Sequence, residues 1–542
     1  MKTTLKTRLK LIWRVCAGYR LKIILCIVLD IITVAISLLF VYLSKEAIDL
    51  SLHEEEGNLK LILILLVASL IIGITLSLIT KWIYENSRNV LTIRVQNYLT
   101  HSQMIMSKGK EKRIHTGDLL VRLNADCSEV IHMVAYVFPN FVVTCFKFVA
   151  SFALLWTLDS LLARLILLIT PLFVFSRLYY QRMRKITKDV KKAESGVGTV
   201  MQENLKNRTL IKSLLFTDAR DEKLKEAQNA LLKLKTRLLN FSTFRQSILR
   251  LTFDGGYMFV FVWGIYRLHE GLISYGTIIA FLQLVSRVQM PVVSMAGFLP
   301  AAIRFRTALE RLIEINRGER EDYSNPITLH TPMTLKINNL CFKYDESDVI
   351  KNLNVEFRSG VPAAVVGASG IGKTTLIRLI LGIMKPDSGT MILTLPDGTS
   401  HEISVATRNN IAYVPQGNSL FYGTIRDNLM PANPGTTEEH LKEVLEIACA
   451  EFVFSLPDGL DTMVGESGDN LSEGQAQRIA VARAILHGGS IWLFDEPTSA
   501  LDLDTVHQVI RSVMKAGKEK ILIFVTHSYP LTDICQQIVH LD

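Results

Sequence analysis

Gly367-Ala-Ser-Gly-Ile-Gly-Lys-Thr-Thr375 is the stretch on which the reading of this chain turns. It matches G-x-x-x-x-G-K-[ST], with Gly367, Gly372, Lys373 and Thr374 at the fixed positions. The short apolar run 363–366 before it reads as a buried strand, and 376–381 after it as an apolar-faced helix. Glycines let the backbone curl so that its N–H groups point inward at phosphate oxygens, and the helix N-terminus adds partial positive charge. Residues Gly367, Ala368, Ser369, Gly370, Ile371, Gly372, Lys373, Thr374 and Thr375 are therefore the candidate cradle for a nucleotide's phosphates. Lys373 can reach the β- and γ-phosphates, and Thr374 can offer its hydroxyl to Mg²⁺. The plain alternative, a glycine-rich turn before a helix, is disfavoured by the strand and helix in place on either side.

At 542 residues the chain exceeds one ordinary domain. Its 49% hydrophobic content is above that of a typical soluble protein, and the excess lies in the first half, in runs long enough to cross a bilayer. The formal charge is +9, but Lys and Arg cluster beside the apolar runs. That fits the positive-inside rule better than a nucleic-acid partner. The seven cysteines form no C-x-x-C pair, which suggests neither a zinc site nor a disulfide framework and fits a reducing cytosolic face. The basic start leads into a long apolar run with no small-residue cleavage site, so it reads as a retained span rather than a signal peptide.

Six spans are expected: residues 23–43, 61–80, about 134–156, 161–178, one within 248–266 and one within 273–295. The stretch Lys45-Glu-Ala-Ile-Asp49 followed by Glu54-Glu-Glu56 reads as an acidic outer loop, and the basic start places the N-terminus in the cytosol. Inner stretches 81–133 and 179–241 are long, basic and helically periodic, so the spanning helices are expected to continue well beyond the membrane. Asp30, Lys147, Asp254 and Arg287 fall within spans. Such residues face a bundle interior or a watery cavity, either to meet a polar cargo or to form an internal ion pair. For Arg287 an internal pair or snorkelling is the expected reading. Pro139, Pro171 and Pro291 are candidate kinks, and Gly255-Gly256 a site of bending or close packing.

Residues 316–326 are polar and charged and read as a linker. From Leu335 short β-branched runs alternate with helical segments, the texture of an α/β domain on a mostly parallel sheet. Ile491-Trp-Leu-Phe-Asp-Glu496 is an apolar strand ending in two carboxylates. Asp495 suits Mg²⁺, and Glu496 is placed to polarise an attacking water. Leu471-Ser-Glu-Gly-Gln475 opens a helix with Ser472 as N-cap, a second helix N-terminus suited to phosphate. Since the first loop already surrounds one nucleotide, the economical inference is that Ser472, Gly474 and Gln475 serve a nucleotide held by another copy. Gln416 ends the run Ala412–Gln416 and can touch Mg²⁺ and sense the γ-phosphate; His527 ends 521–527 and can contact the same group. Tyr344 can stack on adenine.

With these residues in view, the chain resembles an ABC exporter half-transporter. The matching stretches are Tyr344 (A-loop), Gly367–Thr375 (Walker A), Tyr413–Gln416 (Q-loop), Leu471–Gln475 (signature), Ile491–Glu496 (Walker B), Ser499–Asp502 (D-loop) and His527 (switch histidine). Leu420–Asn428, Val464–Asp469 and Thr116–Leu120 with Arg122 resemble further exporter segments. The resemblance implies a helical six-span membrane bundle, residues 1–315, a linker, 316–334, and an α/β P-loop ATP-binding cassette, 335–542. It implies Mg²⁺ and ATP, with Glu496 and His527 catalytic. It also implies a second half-transporter as partner, as a homodimer with two ATP between its cassettes, and cytosolic helices around 121–124 and 205–211 as couplers. The expected activity is ATP-driven movement of an amphipathic lipid, lipid-linked sugar, peptide or drug across a bacterial-type cytoplasmic membrane by alternating access, with both termini cytosolic and membrane lipid around the spans. Import of a siderophore-like ligand and a heterodimer stay open as alternatives. Glu473 stands where the family has glycine. An outward-pointing carboxylate there would do little, whereas an inward one would repel the γ-phosphate.

Overall fold

The computed structural model describes residues 18–52, 58–107, 116–169, 176–344, 347–368, 370–465, 470–497, 501–526 and 532–541, the side chains of 166–181, 184, 245, 249 and 296 aside. By its internal contacts the chain divides into two units, Met1–Thr100 with His115–Asn316, and His101–Ile114 with Arg317–Asp542.

Every element described in the first unit is a helix. Its helices are α1 (Arg20–Ser51), α2 (Leu59–Met104, which ends in the second unit), α3 (Thr116–Val121), α4 (Cys127–His132) and α5 (Phe138–Leu158), then α6 (Ser160–Ile169), α7 (Ser176–Lys206), α8 (Arg208–Ser213), α9 (Thr217–His269) and α10 (Tyr275–Ile315). Two π-helical turns, Arg122–Asp126 and Met133–Val137, join α3, α4 and α5 into one continuous stretch. Among the described residues five stretches are long and apolar enough to cross a membrane: Arg20–Ser51, Leu59–Met104, Thr116–Leu158, Thr217–His269 and Tyr275–Ile315. Helices suit this environment because they satisfy every backbone polar group internally. The span expected at 161–178 is seen as α6 and the start of α7; residues 170–175, Pro171 among them, lie outside the described residues. Helices α2 and α9 run for 46 and 53 residues. At ~1.5 Å per residue they reach about 70 and 80 Å against a hydrocarbon core of ~30 Å, so both extend far past it.

One expectation is corrected here. Lys45–Asp49 is not loop: α1 continues to Ser51. The reason lies 227 residues away. Asp49 is fully buried and accepts a hydrogen bond from the Gly276 N–H at 2.8 Å and one from the Ser274 hydroxyl at 2.8 Å. Lys45, one turn earlier, closes an ion pair with it at 3.1 Å. Ser274 caps α10 by accepting from Thr277 N–H at 3.2 Å. A Cβ at Gly276 would sit 2.3 Å from the Lys45 carbonyl oxygen, so only glycine permits this approach. A carboxylate that reads as solvated sequence is thus a clamp between the first and last spans. A similar device sits at the α5–α6 junction, where Asp159 accepts from the N–H groups of Leu161 and Leu162 at 2.8 and 3.0 Å as an N-cap.

Helix α10 is the hub of the unit and packs on α1, α5 and α9. One apolar core around Val41, Leu155, Val260, Phe281 and Leu284 fills the span region, and a second around Leu91, Ile131, Leu309 and Leu312 fills the helical extensions. Gly256 of α9 meets Gln289 of α10 so closely that a Cβ would lie 2.4 Å from its amide nitrogen, which favours packing over bending at this pair of glycines. Pro291 and Pro300 lie within an α10 that stays one helix. Arg122 bonds Asp118 at 2.9 Å and Glu314 at 2.7 Å, and Arg311 bonds Asp118 at 2.8 Å, locking the 116–122 motif to the end of α10.

Among the described residues the second unit holds two larger sheets and a two-stranded one. Strands β1 (Thr334–Tyr344), β2 (Ser347–Arg358), β4 (Ser388–Thr394) and β5 (Ser400–Glu402) form an antiparallel sheet in the order β2-β1-β4-β5. Strands β3 (Ala363–Val366), β6 (Ile411–Val414), β9 (Ile491–Asp495), β10 (Ile521–Val525) and β11 (Gln537–His540) form a parallel one in the order β11-β3-β10-β9-β6. A small β7 (Gly423–Thr424) and β8 (Met463–Val464) pair apart from both. Helices α11 (Lys373–Ile380), α12 (Ile425–Leu429), α13 (Glu438–Ile447), α14 (Glu473–His487) and α15 (Leu503–Ala516) complete the unit. Strands β9 and β10 are buried at every residue, as their unbroken apolar runs require of strands covered on both faces. One core joins the parallel sheet to α11 and the antiparallel sheet, the other joins it to α13, α14 and α15. The polar stretch read as a linker is anchored within this unit. The Glu321 N–H donates to the Ile105 carbonyl at 2.8 Å, and Arg408 pairs with the Glu321 carboxylate at 2.6 Å.

Candidate functional site

Strands β3, β10, β9 and β6 run parallel, so their carboxyl ends share one edge of the sheet. Off these ends come Gly367, Thr526, Glu496 and Gln416. Open α/β sheets bind ligands at this edge, because there the chain leaves the strands as loops whose N–H groups are free of the ladder. The fold therefore assembles in one place residues that lie up to 159 positions apart, between Gly367 and Thr526.

The glycine loop has the backbone its sequence demands. Gly370 and Gly372 adopt φ of 85° and 120°, values costly for any side chain. At Gly367 a Cβ would sit 2.8 Å from the Leu541 carbonyl oxygen. Gly372 then starts α11, and the Thr374 hydroxyl group stands exposed on its first turn while Thr375 is buried. Lys373 is buried and folds back over the loop, donating to the carbonyl oxygens of Gly367 at 2.7 Å and Ala368 at 3.2 Å. An ammonium held on two weak acceptors at the centre of a nest is poised for a stronger anion. Gly367, Ala368, Gly370 and Ile371 complete the cradle; Ser369 lies outside the described residues.

Asp495 ends β9 and is only 4% exposed. Burial, reinforced by the Glu496 carboxylate beside it, pushes its pKa up to about 6, with Lys373, Tyr413 and Arg378 pulling the other way. A buried carboxylate in that state gains when a cation neutralises it. Tyr413, two residues into β6 on the adjacent strand, donates its hydroxyl to Asp495. Burial first, then the Asp495 charge, pushes that phenol up to about 12, so it remains a donor. The sequence offered no sign of Tyr413 as a site residue beyond its place in the strand before Gln416. Only the pairing of β6 with β9 brings it to Asp495.

Glu496 follows in a left-handed conformation, φ 49°, with its N–H bonded to the Val525 carbonyl at 2.9 Å. This turn aims its carboxylate off the strand axis, where the Gln416 side-chain amide donates to it at 2.6 Å. Gln477 of α14 holds the Glu496 carbonyl at 2.8 Å. Gln416 and Glu496, each expected separately at the site, are thus in direct contact. His527 lies outside the described residues, as do 466–469, Thr498, and Ser499 and Ala500 of the D-loop stretch.

At the start of α14, Ser472 and Gln475 form a capping box: the Gln475 N–H donates to the Ser472 hydroxyl at 3.2 Å and the Gln475 side chain accepts from the Ser472 N–H at 2.9 Å. Gln475 therefore fixes the helix end itself. Gly474 is buried, and Glu473 is exposed on the first turn, where a carboxylate also suits the helix dipole. Tyr344 ends β1 half-buried against Phe342, edge to face at 5.0 Å, and accepts from Arg378 of α11 at 3.3 Å. It thereby leans toward the helix that the glycine loop starts.

Among the described residues no group of three or more His, Cys, Asp or Glu side chains is arranged to hold a metal by itself. Among the described residues the candidate donors at this edge are all oxygen: Thr374, Asp495 and the Gln416 side-chain carbonyl. They suit a hard cation completed by phosphate and water, which is how Mg²⁺ is held with a nucleotide.

Comparison with known proteins agrees with this geometry. Residues 23–292 match the family model described as the ABC transporter transmembrane region, and residues 350–499 that described as ABC transporter, together well over half of the chain. A Bacillus subtilis protein named for multidrug export, the ATP-binding/permease protein YgaD, is 26% identical over 419 residues, 76% of this chain and 72% of that one. A Staphylococcus aureus multidrug export ATP-binding/permease protein is 25% identical over 528 residues, 94% of this chain and 90% of that one. In fold, a solved bacterial Atm1-family ABC exporter with ATP bound superposes at a TM-score of 0.79 with 20% identity, covering 97% of this chain and 94% of that one.

Proposed function

We propose a function on the premise that this chain belongs to the ABC transporters, a multi-pass membrane region and an ATP-hydrolysing cassette fused in one polypeptide. It exports or flips an amphipathic substrate across the cytoplasmic membrane, with both termini cytosolic, and acts as a dimer of two such chains. The relatives named for multidrug export support the direction and the amphipathic cargo. The observation that carries the reading is the direct bond from Gln416 to Glu496 at the same sheet edge as the Lys373 nest.

The chemistry follows from the residues. The loop N–H groups and Lys373 bind the β- and γ-phosphates of ATP, Lys373 leaving the Gly367 and Ala368 carbonyls to do so. Glu496 orients the attacking water and takes its proton, while Gln416 fixes the Glu496 carboxylate against rotation. Thr374, Asp495 and Gln416 would hold Mg²⁺, which when bound neutralises phosphate charge. Tyr413 keeps Asp495 ionised and aimed. Tyr344 packs on the adenine side of the nucleotide, and His527 meets the γ-phosphate from the end of β10. Ser472, Gly474 and Gln475 present the α14 N-terminus to the nucleotide of the second copy, which is why a dimer is required.

The test is ATP-dependent movement of a fluorescent amphiphile in proteoliposomes, with Glu496→Gln as the hydrolysis-deficient control. Accumulation inside inverted vesicles that vanishes in Glu496→Gln supports export. Movement in the opposite sense would establish import, and ATP turnover without movement would defeat the transport reading.

A further inference from the structure

Two cations stand in the middle of the spans with no carboxylate among the described residues to answer them. Lys147 lies on α5, eleven residues before its end at Leu158, and Arg287 on α10, twelve after its start at Tyr275. At ~1.5 Å per residue these are depths of about 17 and 18 Å from the outer ends of their helices, near the middle of a ~30 Å hydrocarbon core. Snorkelling from such a depth is out of reach for either side chain. The two helices pack together, and α1 packs on both. Lys147 lies within electrostatic range of Arg287, and Arg287 donates to the Ser37 hydroxyl of α1 at 2.8 Å. Both cations are half-buried. One turn along α5, on the same face as Lys147, Ser151 is fully buried with its hydroxyl unpaired.

The internal ion pair expected for Arg287 is not what these contacts give. Among the described residues the carboxylates of the spans lie elsewhere. Asp49 clamps Ser274 and Gly276, and Asp159 caps α6. Asp30 lies beside Thr80 and Tyr84 of α2. Asp254 is exposed on α9. The sequence 161–181 contains no Asp or Glu. A charged group at mid-membrane is costly, and two of one sign more so, unless an anion or water meets them. Asp254 of a second copy could neutralise one cation and would leave the other.

We infer that Lys147, Arg287 and Ser37 form a binding site for the anionic group, phosphate or carboxylate, of the transported substrate. This rests on the transport reading above and narrows its cargo from amphiphiles at large to amphipathic anions. Two cations and the Ser37 hydroxyl match a head group with several acceptor oxygens, while the surrounding apolar helices match its chain.

The experiment uses the full chain in phosphatidylcholine nanodiscs and measures binding of fluorophore-tagged dodecyl phosphate, with dodecyltrimethylammonium and inorganic phosphate as competitors. We expect the alkyl phosphate to bind the unmodified protein and the alkyl ammonium not to displace it. Lys147→Gln or Arg287→Gln should each weaken binding about tenfold, the scale of one charge-assisted hydrogen bond. Lys147→Arg and Arg287→Lys should retain most of it, and the unfolding midpoints of all four variants identify any that fails to fold. Displacement by inorganic phosphate at equal concentration would keep the anion site and assign it to a soluble anion rather than a lipid head group. Equal displacement by the alkyl ammonium, or binding unchanged in both glutamine variants, would overturn the site. So would a loss of dimer stability in Asp254→Asn that matches Arg287→Gln and is not additive with it, since the cations would then be paired by the second copy. If the unmodified protein binds the alkyl phosphate but shows no ATPase activity, the transport reading fails and the anion site stands.

Discussion

Tyr413→Phe isolates the one hydrogen bond that holds the Asp495 carboxylate in its charged form from the neighbouring strand. The ring stays in place between β9 and its surroundings; only the hydroxyl leaves. A hydrogen bond to a charged acceptor contributes about 1.5–3 kcal/mol, and we take the lower end because Lys373 and Arg378 also favour the ionised form. The sign follows directly. Tyr413 stabilises the carboxylate, so its removal favours the protonated acid and moves the Asp495 pKa upward from about 6. At 1.36 kcal/mol per pKa unit the movement is about one unit. Since the cation needs the ionised form and competes with one proton, the Mg²⁺ concentration for half-maximal ATPase activity should rise only about twofold at pH 7, where the carboxylate is still about half ionised, and about eightfold at pH 5.5. The acid limb of the rate profile should move up by about one pH unit with it. ATPase rates titrated with Mg²⁺ between pH 5.5 and 8.5 measure both. An unchanged half-saturation together with an unmoved acid limb would show that Tyr413 does not act on Asp495.

Glu496→Gln should leave ATP affinity intact and lower turnover roughly a hundredfold or more, the usual worth of a positioned general base; turnover near that of the unmodified protein would remove Glu496 from that role. Lys373→Ala should weaken ATP binding by about tenfold or more, as loss of a charge-assisted contact does, and unchanged affinity in a filter-binding assay would take it out of the phosphate site. Asp495→Asn should raise the thermal midpoint of the cassette above pH 6, because the folded-state pKa lies above the ordinary 3.8 and ionisation there costs stability as pH rises from about 4 to about 6. A gain equally large at pH 4.5 and 7.5 would show that charge is not its source. Asp49→Ala should cost about 3 kcal/mol, taking from Lys45 its closer ion partner and leaving the Gly276 N–H without its acceptor, and Asp49→Asn less; identical unfolding midpoints for Asp49→Ala and the unmodified protein would refute the clamp.

What the sequence made legible was local. The Gly367–Thr375 loop, the strand ending at Asp495 and Glu496, and the Ser472 N-cap each declare themselves through residues within a few positions, and the structure forms those elements. The membrane half was legible wherever apolar length alone decides. It failed at Lys45–Asp49, where charge argued for water and a partner 227 residues away argued for burial. Tyr413 was missed for the same reason: a side chain on β6 acquires its meaning from the register with β9. The capping role of Gln475 follows from the S-x-x-Q spacing itself, which closes a capping box with Ser472. That Lys147 and Arg287 meet no carboxylate among the described residues depends on how α1, α5 and α10 pack, which no local pattern carries.

The left-handed backbone at Glu496 has an evolutionary consequence. A non-glycine residue held there costs on the order of 1 kcal/mol or more, borne by every folded copy whether or not it turns over. Glu496→Gly would relieve that strain and abolish the water-orienting carboxylate in a single codon change. Mutation alone would thus drift the cassette toward a sturdier, inert form, and only selection on turnover holds the chain away from it. In paired half-transporters where one of two sites suffices, the spare copy would be expected to slide first at this position.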